Sequence, residues 1–306
     1  MGTSDFAAVN LKKILDSSCR EYQVLSVFTQ PDKPKGRGYK LEASPVKKLA
    51  LENNLDIQQP ETLRDDKVVE FIKNLNPDLI VVIAYGKILT REILDIPSLG
   101  CINMHGSLLP KYRGAAPVQW SVINGDEYAG VTSMYIDEGL DTGDIIIQDK
   151  ILIDPNETSG ELMERLASVS AKTLIKTLEI IKNNTVTRKA QDESQVSFAP
   201  TLDKSLSNID FNKPARELHN IIRGLNPWPV AKINYNNKNI KIYRSKIIDE
   251  NNLLGKPGEI IDDKRFIVAC ARGSIEFLEI QAEGKKRLIS KDFLVGNKIK
   301  IGDIIN

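Results

Sequence analysis

Leu79-Ile80-Val81-Val82-Ile83 is an unbroken apolar run of five residues, and it narrows the folds open to this chain more than any other stretch. A strand with one wet face alternates apolar and polar residues. A run without alternation is covered on both faces, as in a sheet flanked by helices on either side. The neighbouring segments keep that grammar. Apolar spacing predicts helices over Asp5 to Leu15, near Pro45 to Asn53, over Asp65 to Asn74, near Thr90, after Pro117 and along about Ser159 to Lys182. Strands fall between them at Val24–Phe28, Asp56–Gln58, Gly100–Met104, Val131–Ile136 and Asp144–Ile153. Alternation of this kind argues a doubly wound, Rossmann-like α/β domain over residues 1–182.

Such a domain opens on a central strand, whereas this chain opens on a glycine turn that leads straight into a helix. The expectation is that the first strand lies ahead of Met1, which would then be an internal methionine. Without that strand its two neighbours would carry unpaired backbone groups, at about 1–3 kcal/mol each.

Residues 183–213 are polar and read as a linker. Beyond them a helix at Ala215–Arg223 precedes short strands near Ala231–Tyr235, Ile240–Lys246, Gly258–Asp262, Phe266–Ala271 and Ile275–Gln281. Five short strands at this spacing predict a small OB-like β-barrel domain over residues 214–306. Two prolines in Asn226-Pro227-Trp228-Pro229 would fix the chain entering it, with Trp228 packed.

At 306 residues, 41% hydrophobic and 27% charged, the composition is that of a globular protein with a sizeable core. No apolar run approaches the roughly 20 residues of a membrane span, and no leader pattern is present, so no membrane association is expected. Cys19, Cys101 and Cys270 are far apart and in no metal-binding spacing, which reads as reduced thiols in a cytoplasmic protein with no metal. The net charge of +1 conceals an asymmetry: residues 201–306 hold 19 Lys/Arg against 13 Asp/Glu. In the acidic remainder, Thr29 to Lys48 carries six basic residues and two acidic ones. A basic loop and a basic second domain suit a polyanion.

The chemistry concentrates after the Gly100–Met104 strand. Asn103 and His105 are two apart, so on an extended chain they face the same way. The segment Gly139-Leu140-Asp141-Thr142-Gly143-Asp144 can supply a carboxylate. An amide donor, an imidazole and a carboxylate suit acyl transfer to an amine.

Across His105-Gly106-Ser107-Leu108-Leu109-Pro110-Lys111-Tyr112-Arg113-Gly114-Ala115-Ala116-Pro117 the chain resembles the folate-dependent formyltransferases, and among them the bacterial branch that acts on methionyl-tRNA. Phe28-Thr29-Gln30-Pro31-Asp32, Gly36-Arg37-Gly38, Ala84-Tyr85-Gly86, Asn226-Pro227-Trp228-Pro229 and Gly284-Lys285-Lys286 extend the likeness over nearly the whole length. The missing first strand is the departure. The resemblance implies formyl transfer from 10-formyltetrahydrofolate to the α-amine of initiator methionyl-tRNA, with no metal and no obligate protein partner. It implies catalytic roles for Asn103, His105 and Asp141, and folate contact along Ser107, Leu108, Leu109 and Pro110. It also places Arg37, with Lys33, Lys35 and Lys40, against the tRNA acceptor stem, and Lys285 and Lys286 against phosphates. His219 has no such context and reads as an ordinary helix residue. Two alternatives stay open: a formyltransferase acting on a sugar-nucleotide amine, and a non-catalytic folate- or RNA-binding module. A glycinamide-ribonucleotide formyltransferase fits less well, given the second domain and Gly106.

Overall fold

The computed structural model describes residues 1–16, 22–35 and 40–305. The chain divides into two compact units, the first comprising Met1–Gly114, Ala129–Ile151 and Met163–Phe198, the second Ala115–Tyr128, Leu152–Leu162 and Ala199–Asn306. The stretch expected as a linker is shared between them. Lys189 pairs with Ile145 in the first unit, while Leu202, Ile209 and Phe211 are buried in the core of the second.

In the first unit, helix boundaries follow from local chemistry. Ser44 accepts the Lys47 N–H ahead of the Pro45–Glu52 helix, and Asp65 accepts the Lys67 N–H ahead of Asp66–Leu75. Both are N-caps, and Pro45 occupies the first turn, where its missing donor costs nothing. Asn76, at φ 45, turns the chain out of the second helix. Phe28, Leu63, Val69, Ile72, Ile80, Val82, Tyr85 and Ile93 form the core beneath the sheet.

Four strands run in the order Ile80–Val82, Cys101–His105, Tyr128–Tyr135, Ile145–Leu152. The first two are parallel, but Ile102–His105 pairs antiparallel with Thr132–Tyr135. The sheet is therefore mixed. The Pro117–Ile123 helix does not serve as a crossover within this unit. Ala116 and its neighbours Trp120 and Ile123 belong to the second unit's core, so the chain returns antiparallel.

Val27–Phe28 and Ile57–Gln58 form a separate parallel pair. Between this pair and the larger sheet lies the position of a central strand, and the first two residues enter one end of it. The Met1 amine donates to the Val81 carbonyl at 2.7 Å. Ile83 N–H donates to Met1, and Gly2 N–H to Phe28, each at 2.9 Å. A Cβ on Gly2 would lie 2.7 Å from Ala7 Cβ and 2.9 Å from the Ile83 carbonyl, so only glycine fits. Behind these residues a groove of about 620 Å³ is lined by Val24–Phe28, Ile72, Pro77–Val81 and Ile181, among others. Burial of the Met1 amine lowers its pKa from 8.0 to about 5, because desolvation disfavours the charged form.

The second unit is built on antiparallel strands ordered Ala231–Tyr235, Lys238–Asp249, Ser274–Ala282, Ile267–Ala269, Ile260–Asp262, with Leu288–Ile289 added to Ser274–Ala282. All five expected strands are present; Leu288–Ile289 and the helix Ser290–Gly296 are additions. The described ladders form an open path, without a pairing between its two end strands. Leu218 and Ile222 of the Ala215–Gly224 helix pack here with Phe266 and Phe277, whose rings meet edge to face at 5.2 Å. Trp228 is 51% exposed rather than packed. The anchor of its segment is Asn226, whose amide donates to the Tyr243 carbonyl and whose carbonyl accepts from Ser159.

Candidate active site

Cys101–His105 carries Asn103 and His105 to the edge of the first unit's sheet, both aimed at one carboxylate. The Asn103 side-chain nitrogen lies 3.5 Å from Asp141 Oδ1, and His105 Nδ1 lies 3.6 Å from Asp141 Oδ2. The alternation of the extended chain thus brings the three sequence-predicted residues together.

His105 is 6% exposed, and its Nε2 lies 2.9 Å from the Tyr112 carbonyl. A carbonyl can only accept, so Nε2 carries a proton, and Nδ1 is the ring atom that faces Asp141. The tautomer is set by a backbone group. Tyr112 itself sits at φ 63, a left-handed conformation that turns its carbonyl to the ring.

Asp141 also sits in the left-handed region, at φ 53. Its Oδ2 accepts the Gly114 N–H at 2.9 Å. The turn around it is tight: Asp137 Oδ1 accepts from Gly139 N–H and from the Thr142 hydroxyl. A Cβ on Gly143 would stand 2.0 Å from the Tyr135 carbonyl. Behind the turn, Gln191 donates to the carbonyls of Asp141 and Gly143. Arg113, almost wholly buried, donates to Gln191 and Glu193. Its guanidinium holds the Glu193 carboxyl below its usual range. Sequence reasoning passed over Tyr112, Arg113 as a buried donor, and Gln191. Only a donor–acceptor accounting of the Asp141 turn could have exposed them.

Ser107–Pro110 lies close by in the chain and is held from both sides. The Thr132 hydroxyl donates to the Ser107 carbonyl and accepts the Leu109 N–H. Gln148 donates to the Leu109 carbonyl, and the Ser107 hydroxyl to the Lys111 carbonyl. Leu109 is buried with Met134 and Ile145, and Leu108 covers Gly130. Leu108 and Pro110 are part-exposed.

The basic residues are placed unevenly. Lys33 is exposed and donates to Gln30, on a hairpin formed by Lys33–Lys35 and Lys40–Glu42. Arg37 falls outside the described residues, and of the side chains of Lys35 and Lys40 nothing is described. Lys285 and Lys286 are exposed on the turn after Gly284, itself at φ 70. His219 is buried, with Ser245 on one ring nitrogen and the Pro155 carbonyl on the other. Among the described residues no group of three or more His, Cys, Asp or Glu is placed to hold a metal, and no helix is long and apolar enough to cross a membrane.

A two-unit α/β protein with an Asn–His–Asp cluster beside a tight carboxylate turn has the equipment of an acyl-transfer enzyme. Residues 1–178 match the formyl transferase family and residues 201–298 its C-terminal domain. The chain belongs to the formyl transferase family. It is 48% identical to the methionyl-tRNA formyltransferase of Clostridioides difficile, over all of this chain and 98% of that protein. It is 42% identical to that of Acetivibrio thermocellus over the same shares. Among solved structures, WlaRD, a sugar 3N-formyl transferase crystallised with dTDP and 5-N-formyl-THF, is 25% identical, with TM-score 0.69, covering 93% of this chain and 97% of that one. An N-formyltransferase of Helicobacter canadensis shares the fold at TM-score 0.68 and 24% identity, over 92% of this chain and 97% of that one.

Proposed function

We propose that this protein transfers the formyl group of 10-formyltetrahydrofolate to the α-amine of methionyl-initiator tRNA, in the cytoplasm. The observation that carries this reading is the 48% identity, end to end, with a methionyl-tRNA formyltransferase. The likeness to a sugar formyltransferase is weaker, at 25%, so the sugar-nucleotide reading ranks second.

In the reaction the amine nitrogen attacks the formyl carbon. The new C–N bond leaves an oxyanion on the formyl oxygen, and the nitrogen sheds a proton as the bond to the folate N10 breaks and N10 is protonated. Asn103 donates to the oxyanion, a role worth roughly 10²–10³ in rate. His105, with Nε2 held on the Tyr112 carbonyl, moves protons through Nδ1. The protonated ring donates from that atom, and Asp141 balances its charge. No covalent enzyme intermediate is required. The folate lies along Ser107, Leu108, Leu109 and Pro110. The second unit, read as an OB-like domain, and the basic hairpin take the tRNA through Lys33, Lys35, Arg37, Lys40, Lys285 and Lys286. Asp32 and Lys47 are paired beside that hairpin.

Formyl transfer measured against methionyl-tRNA and against a dTDP-amino sugar, at two salt concentrations, tests the reading. Turnover on methionyl-tRNA alone is expected, weakening steeply with salt as phosphate contacts release counterions. Arg37→Ala should lower kcat/KM for tRNA and leave folate binding intact. Turnover on the sugar alone, with little salt effect, would overturn it.

A further inference from the structure

The carboxylate turn is tied at both of its ends to one pair of consecutive residues. Gly114 N–H reaches the Asp141 carboxylate at 2.9 Å. Arg113, one residue earlier, reaches the Asp141 backbone through Gln191. Its Nε and Nη2 donate to Gln191 Oε1 at 3.1 and 2.9 Å. Gln191 Nε2 in turn donates to the carbonyls of Asp141, at 2.8 Å, and Gly143, at 2.9 Å. The orientation of this amide is forced, because carbonyls only accept and a guanidinium only donates; a flipped amide would face like with like at every contact. Arg113 is 3% exposed, and its remaining donors rest on Glu193 at 3.2 and 2.7 Å. The loop therefore closes: Arg113 to Gln191, Gln191 to the backbone of Asp141, and the carboxylate of Asp141 to Gly114.

We propose that Gln191, held by Arg113, is a positioning residue that sets the Asp141 carboxylate against His105 and Asn103. The assignment rests on the formyl-transfer reading given above. Asp141 adopts φ 53, which an L-residue keeps only when its surroundings over-determine it. Gln191 supplies that constraint at the two carbonyls flanking Thr142. Its contribution is geometric, since its amide bonds to the backbone carbonyls of Asp141 and Gly143 and to Arg113. Loss of the donor leaves the turn free to relax and carries the carboxylate away from Nδ1. A shift of this kind, near 1 Å, costs about 10²-fold in rate.

The experiment uses Gln191→Met, which keeps the side-chain length, and Gln191→Glu, which still accepts from Arg113 but cannot donate to carbonyls. Each is made in the wild-type and the Asp141→Asn backgrounds. We expect kcat to fall about 10²-fold with both KM values unchanged in each single variant, little further loss when either is combined with Asp141→Asn, and faster hydrogen exchange at the Gly114 amide. Turnover within about twofold of wild type, or losses that add fully to that of Asp141→Asn, would overturn the proposal. Should one variant fail to fold, the other decides. If the wild-type protein does not formylate methionyl-tRNA, the functional reading falls by itself. Gly114 exchange then decides the clamp: faster in the variants supports it, unchanged overturns it.

Discussion

Two places in the first unit follow opposite rules. At the Asp141 turn the polar groups are tightly partnered: Gln191, Arg113, Gly114 and the Tyr112 carbonyl all have assigned contacts within 3.2 Å. At the position between Val27–Phe28 and Ile80–Val82, Met1 and Gly2 reach across, the Thr3 hydroxyl links Gln30 and Tyr85 next to them, and an apolar groove lies behind. The first place is specified by hydrogen bonds that tolerate one geometry. The second is specified by burial, which is non-directional. Substitutions at the turn should therefore change rate and spare stability, while changes at the groove should do the reverse.

The largest expected effect lies at the groove. In a chain that begins at Met1, burial lowers the amine pKa from 8.0 to about 5, so the unfolded chain binds the extra proton. Its contribution to stability is complete above pH 8.0 and is lost as pH falls toward 5, by roughly 4 kcal/mol in all. His219, also lowered by burial, adds in the same direction below the ordinary histidine range. Denaturant unfolding between pH 5 and 8, with and without acetylation of the amine, isolates the Met1 part. An identical slope in both samples would show that the amine escapes to water. Turnover measured at pH 8 should be equal in the two.

At the turn, Asn103→Ala, His105→Ala and Asp141→Ala should each lower turnover by roughly 10²–10³ with unfolding midpoints little changed. The three losses should combine non-additively because they act on one intermediate. His105→Ala with near wild-type turnover would break the contrast and the mechanism together.

How far these regions could be read from sequence differs for a physical reason. The Asn103–His105 pairing follows from a two-residue period, and the long Ser159–Lys182 helix from a 3.6-residue one; both are local regularities. Gln191 lies 50 residues from Asp141 and obeys no period, so its role emerges only once the chain has folded. The antiparallel return of Tyr128–Tyr135 was hidden likewise, since an eight-residue strand has the same pattern in either direction. Trp228 was misplaced because a large apolar ring says nothing about which side of a proline-rich turn it takes.

A third effect, smaller than these, probes the groove directly. Adding five or six apolar residues ahead of Met1 should raise the unfolding midpoint, by roughly 2–4 °C for each kcal/mol gained, and leave kcat unchanged. Equal midpoints would mean the sheet tolerates its gap. Smallest is Ser170→Ala, which removes the hydroxyl bonded to Asn10 Oδ1 at 2.9 Å in a fully buried pair. A loss of about 1–3 kcal/mol is expected in denaturant titration. No loss would place a compensating donor beside Asn10.

The groove has a further consequence for the behaviour of many copies in one tube. In a chain that begins at Met1, two parallel strand edges facing each other across an apolar trough form a template, and a template accepts whatever extended segment arrives first. With a net charge of only +1, electrostatic repulsion does little to keep copies apart. Colloidal behaviour should then be governed by strand capture, and light scattering that grows with protein concentration, and is suppressed when a short apolar peptide fills the trough, would report it.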